Sequence, residues 1–242
     1  MKRWGYYIGC CIAVLLMASA AVHAQQRYQR WGGGVDDETL HFGFSFHYIN
    51  ADYKIDLIDE WQTVGSGGYT RVESPFSHNV GLGLLADLKL TENLNLRFQP
   101  NLRFMNINVN LYKDSDVLAT DYDPKVHRSD IGIPLLLKFK SDRKTNMRGY
   151  LIGGGELAFN VSSNKRYEGQ KHRLIMTDRT YFAYTAGIGF DIYFEFFKMS
   201  PEIRWVQSIG NLLDNHPDNT FNNNSPIERL YMRSFQVSLY FE

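Results

Sequence analysis

The stretch "LNLRFQPNLRFMNINVNL" (94–111) sets Leu94, Leu96, Phe98, Leu102 and Phe104 on even positions, with Asn95, Arg97, Gln99, Asn101 and Arg103 on odd ones. A period of two with that contrast predicts a β-strand whose two faces meet different environments. Pro100 lies among the apolar residues, and the polar face carries both arginines. Beyond Phe104 the phase changes: Met105, Ile107, Val109 and Leu111 are odd, while Asn106, Asn108 and Asn110 are even. One inserted residue would produce such a slip, so the pattern predicts a β-bulge just past Pro100.

The same alternation recurs along the chain. Leu40, Phe42, Phe44, Phe46 and Tyr48 alternate with His41, Gly43, Ser45 and His47. Val80 to Leu90 forms a second strand, and the opening stretch is the third. Ile131–Phe139, "YLIGGGELAF" (150–159), Phe182–Ile192, Met199–Trp205 and Phe235–Phe241 supply five more. Eight strands result. Short links near 91–93, 141–148 and 194–197 alternate with long polar ones at about 57–78, 112–128, 160–178 and 210–231. That rhythm belongs to outer-membrane barrels, with short periplasmic turns, long outer loops and an even strand number. Both termini then fall on the periplasmic side.

The 242 residues, 44% hydrophobic and 14% aromatic, suffice for one all-β domain. Lys2 and Arg3 precede an apolar run, and "ASAAVHA" places Val22 and Ala24 at the −3 and −1 positions before Gln25. This is the layout of a secretory signal peptide over residues 1–24. An uncleaved anchor is the alternative, since the apolar stretch approaches spanning length; a lipoprotein cysteine at Cys10 or Cys11 has too little apolar sequence before it. Residues 25–39 form a flexible periplasmic lead-in, and 40–242 the barrel. Both cysteines lie within the signal, so disulfides cannot hold the mature chain. Charge balances at 26 basic against 26 acidic residues, and removing Lys2 and Arg3 leaves 24 against 26, or −2. Nothing in that balance suggests nucleic acid. No later segment has the apolar length of a transmembrane helix, whereas a closed barrel spans without one.

Alternation alone also suits a soluble lipocalin-like barrel with its apolar face inward. Two features favour the reverse orientation. Pairing Leu90 with Leu94 sets Asp87 opposite Arg97, and pairing Tyr193 with Lys198 sets Gly189 opposite Glu202 and Gly187 opposite Arg204. The glycines would then make room for long charged side chains sharing a lumen. Moreover, an eight-stranded barrel could hardly hold the leucine, phenylalanine and tryptophan side chains of every strand inside it. The expected architecture is therefore an all-β, eight-stranded antiparallel transmembrane β-barrel with short periplasmic turns and long extracellular loops. Its interior charge network comprises Asp87, Arg97, Arg103, Lys138, Glu156, Asp191, Glu202 and Arg204, plugging the lumen with ion pairs because an unpaired buried charge is expensive. Pro100 and Pro134 mark a strand irregularity: each lacks the N–H a ladder needs, and a closed barrel has no edge to hide it. The seam between the third and fourth strands is expected to run short of hydrogen bonds there.

Taken together, "LHFGFSF" (40–46), "LNLRFQPNLRF" (94–104), "IGIPLLLKFKS" (131–141), "YLIGG" (150–154), "YFEFFKMSPEIRW" (193–205) and the terminal "SLYFE" resemble the PorT family. Those proteins are small outer-membrane β-barrels of the type IX secretion system, and the likeness runs through nearly the whole mature chain. It implies an accessory, non-enzymatic role in exporting proteins that bear C-terminal sorting domains, with outer-membrane lipids and other secretion-machinery proteins as partners. It implies no catalytic residues.

Chemistry elsewhere is sparse. Asp214, His216 and Asp218 in "LLDNHPDN" (212–219) could activate water, but a loop of that composition is ordinarily solvated. His41 and His47 lack a third ligand at metal spacing. "GLG" (81–83) and "GGG" (153–155) lie inside strands, not at the helix starts that cradle phosphate. "NKRYEGQKHR" (164–173) could meet anionic headgroups or simply be solvated, and "NVS" (160–162) only formally fits a glycosylation acceptor. No cofactor, metal, nucleic acid or small-molecule substrate is expected. A secretion component, a free-standing adhesin or stabiliser, and an outer-membrane hydrolase or acyltransferase are the three functional classes that remain.

Overall fold

Backbone groups inside a bilayer must all be paired within the protein, which leaves a closed ring of strands as the way for extended chain to cross it. The computed structural model, which describes residues 31, 38–58, 69–113, 117–118, 125–162, 177–213 and 227–242, has that ring. Its strands are β1 (Leu40–Leu57), β2 (Tyr69–Glu73), β3 (Ser77–Lys89), β4 (Leu94–Phe98), β5 (Asn101–Asn108), β6 (Asn110–Lys113), β7 (Val117–Leu118), β8 (Lys125–Lys140), β9 (Met147–Asn160), β10 (Thr180–Tyr193), β11 (Lys198–Ile209) and β12 (Ile227–Phe241). β4 and β5 form one stave of eight. The staves follow one another as antiparallel neighbours, and β1 closes the ring by pairing with both β12 and β3. β2, β6 and β7 make a separate three-stranded sheet. The signal segment 1–24 and most of the lead-in 25–39 lie outside the described residues.

The apolar positions face outward. Phe42, Leu84, Phe139, Leu151 and Phe182 are between 58 and 69% exposed, and the band they belong to runs around all eight staves. On β8 it extends from Ile131 to Phe139, nine residues, close to the ~9–11 that a tilted strand needs to cross a bilayer.

The inserted residue does not exist. The pairing of 94–108 with β8 keeps one register from Leu94↔Phe139 through Asn101↔Gly132 to Asn108↔Lys125. Odd residues stay buried throughout, Arg103 and Met105 alike, as do Ile107, Val109 and Leu111. The surroundings, not the strand phase, change beyond Phe104. Past the apolar band the outer face meets water and carries Asn106, Asn108, His78 and Arg233. The inner face there packs Ile49, Ala51, Tyr53, Met105, Ile107, Val109, Val206, Leu230 and Met232 into an apolar core. The barrel thus changes from a membrane protein to a water-soluble one along its own axis. The long links accordingly come out shorter than expected: β2 falls within 57–78, and the end of β6, all of β7 and the start of β8 within 112–128.

Pro100 and Pro134 each remove one bond, and from different seams. The strand assignment breaks at Gln99–Pro100 although the register runs on. Toward β8, Gln99 N–H donates to Pro134 O at 3.3 Å, and Pro134 cannot reciprocate. Toward β3, Leu84 N–H donates to Pro100 O at 2.9 Å, and again no return bond can form. Consecutive residues of a strand direct their N–H groups to opposite neighbours, so the deficit is divided between the two seams.

Candidate functional site

Alternation places every second side chain of eight staves into a space barely wide enough to hold them. In its lower half, toward the short turns, that space is filled by ions. Arg97 of β4 donates from Nε (3.0 Å) and Nη2 (2.7 Å) to Asp87 Oδ2 on β3, and Asn95 donates to Asp87 Oδ1 at 2.6 Å. Arg97 Nη1 also lies 3.4 Å from Glu202 Oε2, and Nη2 lies 3.5 Å from Glu242 Oε1. Lys138 of β8 donates to both oxygens of Asp191, at 2.7 and 2.9 Å, and Ser200 adds a third bond to Asp191 at 2.7 Å. Lys198 pairs with Glu242 at 2.7 Å. Two tyrosines complete the layer: Tyr150 and Tyr240 donate to Glu202 at 2.8 and 3.1 Å, while Lys138 sits 4.0 Å from the Tyr150 ring centre. Asp87, Arg97 and Lys138 have no accessible surface.

A second group lies nearer the long loops. Arg103 of β5 meets Glu156 of β9 at 2.5 Å, and its Nη2 donates to the Tyr181 hydroxyl at 3.3 Å. Tyr181 donates to Asp130 at 2.9 Å, and Arg128 Nε reaches the same carboxylate at 3.2 Å. Between the groups, Arg204 donates to Gln99 Oε1 at 3.1 Å and approaches Glu202 at 2.9 Å through Nε. Above both lies the apolar core, so ions and hydrocarbon close the interior in series.

All eight of the interior charges read from the sequence occupy these groups, and the structure brings each against an opposite charge or a tyrosine. The reading missed Arg128, Asp130, Lys140, Lys198 and Glu242. Their parity could have found them: Arg128, Asp130 and Lys140 share even positions with Lys138, Lys198 with Glu202, and Glu242 with Tyr240. Gly187 makes room as expected, since a Cβ there would lie 2.5 Å from Arg204 Cγ. Gly189 instead makes room for the Tyr150 ring, although it sits opposite Glu202 in register. Inward-facing buried cations (Arg97, Arg103, Arg128, Lys138, Lys140, Lys198, Arg204) are nearly matched by inward-facing carboxylates (Asp87, Asp130, Glu156, Asp191, Glu202, Glu242).

His47 is bound into this interior by Ser45 at 2.9 Å and Ser238 at 2.7 Å, while His41 approaches Glu38 at 3.8 Å. Among the described residues no group of three His, Cys, Asp or Glu could hold a metal. Asp214, His216 and Asp218 lie outside the described residues, as does the loop 164–173.

Residues 24–214 match the family model described as an outer membrane protein beta-barrel domain. No curated relative matches the chain. Among solved structures it is similar to the Neisserial surface protein A (10% identity; 84% of this chain and 98% of that one; TM-score 0.44). It is also similar to the outer membrane protein AlkL (12%; 90% and 94%; TM-score 0.47) and to the outer membrane protease OmpT of Escherichia coli (11%; 84% and 94%; TM-score 0.42). With a closed ring of eight strands, an outward apolar band and a family model covering most of its length, the chain belongs to the outer membrane protein β-barrel domain family and has its place in the bacterial outer membrane.

Proposed function

We propose that this barrel is a non-enzymatic component of the type IX protein secretion machinery, needed for export of proteins with C-terminal sorting domains. The resemblance of "IGIPLLLKFKS" and "YFEFFKMSPEIRW" to the PorT family supports the assignment. The filled interior supports the accessory character of the role. With Arg97, Asp87 and Lys138 wholly buried across the lumen, the barrel has no space for a polypeptide. It would act through its surfaces, as a partner of other secretion proteins, and not as the conduit.

Deleting the chain and following exported proteins by fractionation tests this reading: they should accumulate in the periplasm. Normal export in the deletion strain would refute it. A second reading, a free-standing adhesin or stabiliser, draws on the strands that continue past the membrane band into the β2–β6–β7 sheet. It predicts normal export with altered attachment or envelope integrity. The hydrolase reading rests on Asp214 and His216, and unchanged function in Asp214→Ala/His216→Ala removes it.

A further inference from the structure

On the loop side of the apolar band, β1 outruns one of its neighbours. The β1–β3 ladder ends at Ala51↔Ser77, whereas β1 goes on pairing with β12 as far as Leu57↔Ile227. β2, which precedes β3 in the chain, does not take up the vacated side. It pairs with β6 and is the end strand of its own sheet. Residues 52–57 of β1 thus have one edge laddered and the other open, among the described residues.

Pro75 accounts for the opening. Carried two residues further, the β1–β3 register would set Tyr53 opposite Pro75. Lys89 N–H donates to Thr39 O at 2.8 Å, so the odd residues of β1 and β3 turn their backbone groups toward each other. Pro75 has no N–H to give the Tyr53 carbonyl. The Tyr53 N–H donates instead to Ser74 Oγ at 2.9 Å, and that hydroxyl donates to Asn108 O at 2.9 Å. Beyond this point Tyr53 C=O and both backbone groups of Ile55 look into the gap, without a hydrogen bond to the described residues.

A cleft of about 400 Å³ fills the gap, lined by residues 52–55 of β1, residues 72–75 at the end of β2, and Arg233. A cleft between strand faces would take every second residue of each strand. Four consecutive residues from either side mean that the two strands present their edges. On the inner side, Ile55 and Val72 pack half-buried against the apolar core. On the outer side the charges already neutralise one another: Asp52 with Arg233, Lys54 with Asp56 at 3.8 Å, and Glu73 with Arg71 at 3.2 Å.

We infer that this cleft receives an extended segment of another protein as an added β-strand. Its alternate side chains are apolar toward Ile55 and Val72, and polar but uncharged toward the neutralised outer rim. Main-chain bonds to the open edge supply affinity, and the two unlike sides of the cleft supply selectivity. The inference stands apart from the secretion reading, whose deletion test follows export and not peptide binding.

The test uses the full chain in detergent micelles. The probe is a soluble peptide alternating valine and threonine, with a backbone N-methylated version as control. Residue-resolved amide exchange is followed at Ile55 and at Lys54, whose N–H turns the other way, into the β12 ladder. In the free barrel Ile55 should exchange fast and Lys54 slowly. Saturating peptide should slow Ile55 tenfold or more and leave Lys54 unchanged, while the N-methylated peptide should do nothing. Ile55→Pro, which deletes the edge donor and spares the β12 ladder, should abolish peptide binding. Heat-modified gel mobility checks folding, and Val72→Lys, which charges the inner side, serves as a second variant with binding weakened tenfold or more. Slow Ile55 exchange in the free barrel, no protection at millimolar peptide, equal binding of the N-methylated peptide, or unchanged binding by a folded variant would overturn the inference. Ile55 exchange that slows with barrel concentration alone would overturn it too, by giving the edge to a second copy of this chain.

Discussion

Asp87 and Arg97 face each other across the β3–β4 hairpin, carboxylate to guanidinium at 2.7 Å, neither with any surface open to solvent. The pair anchors a chain of contacts through Glu202 and Glu242 to the far wall of the barrel. Removing one partner strands the others without a counter-charge. Arg97→Leu should destabilise the barrel by about 3–5 kcal/mol, because an uncompensated buried charge is left behind. Asp87→Leu/Arg97→Leu should cost less than the sum of the single changes. Urea unfolding in detergent, followed by tryptophan fluorescence, gives the values; strictly additive costs would mean that the two residues do not act as a pair.

Closure by two unlike materials makes the lumen robust to damage in either. Purified wild-type barrel in planar bilayers should show no steady open conductance. Ile107→Ala/Leu230→Ala, which loosens the apolar core, should remain silent because the ion layer beneath it is intact. Large ohmic currents from the wild type would contradict the packed interior.

Neighbouring residues on β5 should respond in opposite ways. Ile107 is wholly buried above the membrane band, and Ile107→Ala should cost about 2–5 kcal/mol through lost burial and the cavity left behind. The Asn108 side chain faces outward, and Asn108→Ala should fall within about 0.5 kcal/mol. Equal costs in a denaturant titration would argue against an apolar core at this end.

Orientation of the apolar face can be tested at Leu84, 65% exposed in the middle of the band. Leu84→Arg should cost about 2–4 kcal/mol in lipid bilayers, where the charge meets hydrocarbon. On a watery surface the same change would be nearly neutral, and a neutral result in bilayers would place that face in water.

Pro134 leaves the Gln99 carbonyl without its ladder donor. Pro134→Ala supplies the N–H, and the Gln99 amide, now in a long 3.3 Å bond, should exchange its hydrogen more slowly. A net bond in that position contributes about 0.5–1.5 kcal/mol, a severalfold change in protection. Unchanged exchange would mean that the seam is already held by other contacts.

Much of this was legible in the chain. The period of two counted the staves, placed the short turns and set the β3–β4 and β10–β11 registers residue by residue, because side-chain direction in a strand is fixed by parity alone. Parity also assigned the interior charges, and would have added Arg128, Asp130, Lys140, Lys198 and Glu242 had it been carried to the strand ends. What the sequence could not separate was a shift of phase from a change of surroundings. Met105 follows Phe104 in the same apolar class, so one residue inserted in a lipid-facing strand and one strand leaving the lipid write the same letters. The tertiary structure decided between them, since only the closed ring shows that Arg103 and Met105 share one interior, ionic around the first and apolar around the second. It likewise decided which groups meet across the lumen. Tyr150 against Glu202 and Arg103 against Glu156 join staves whose side chains come together through curvature and closure, and no local pattern records those.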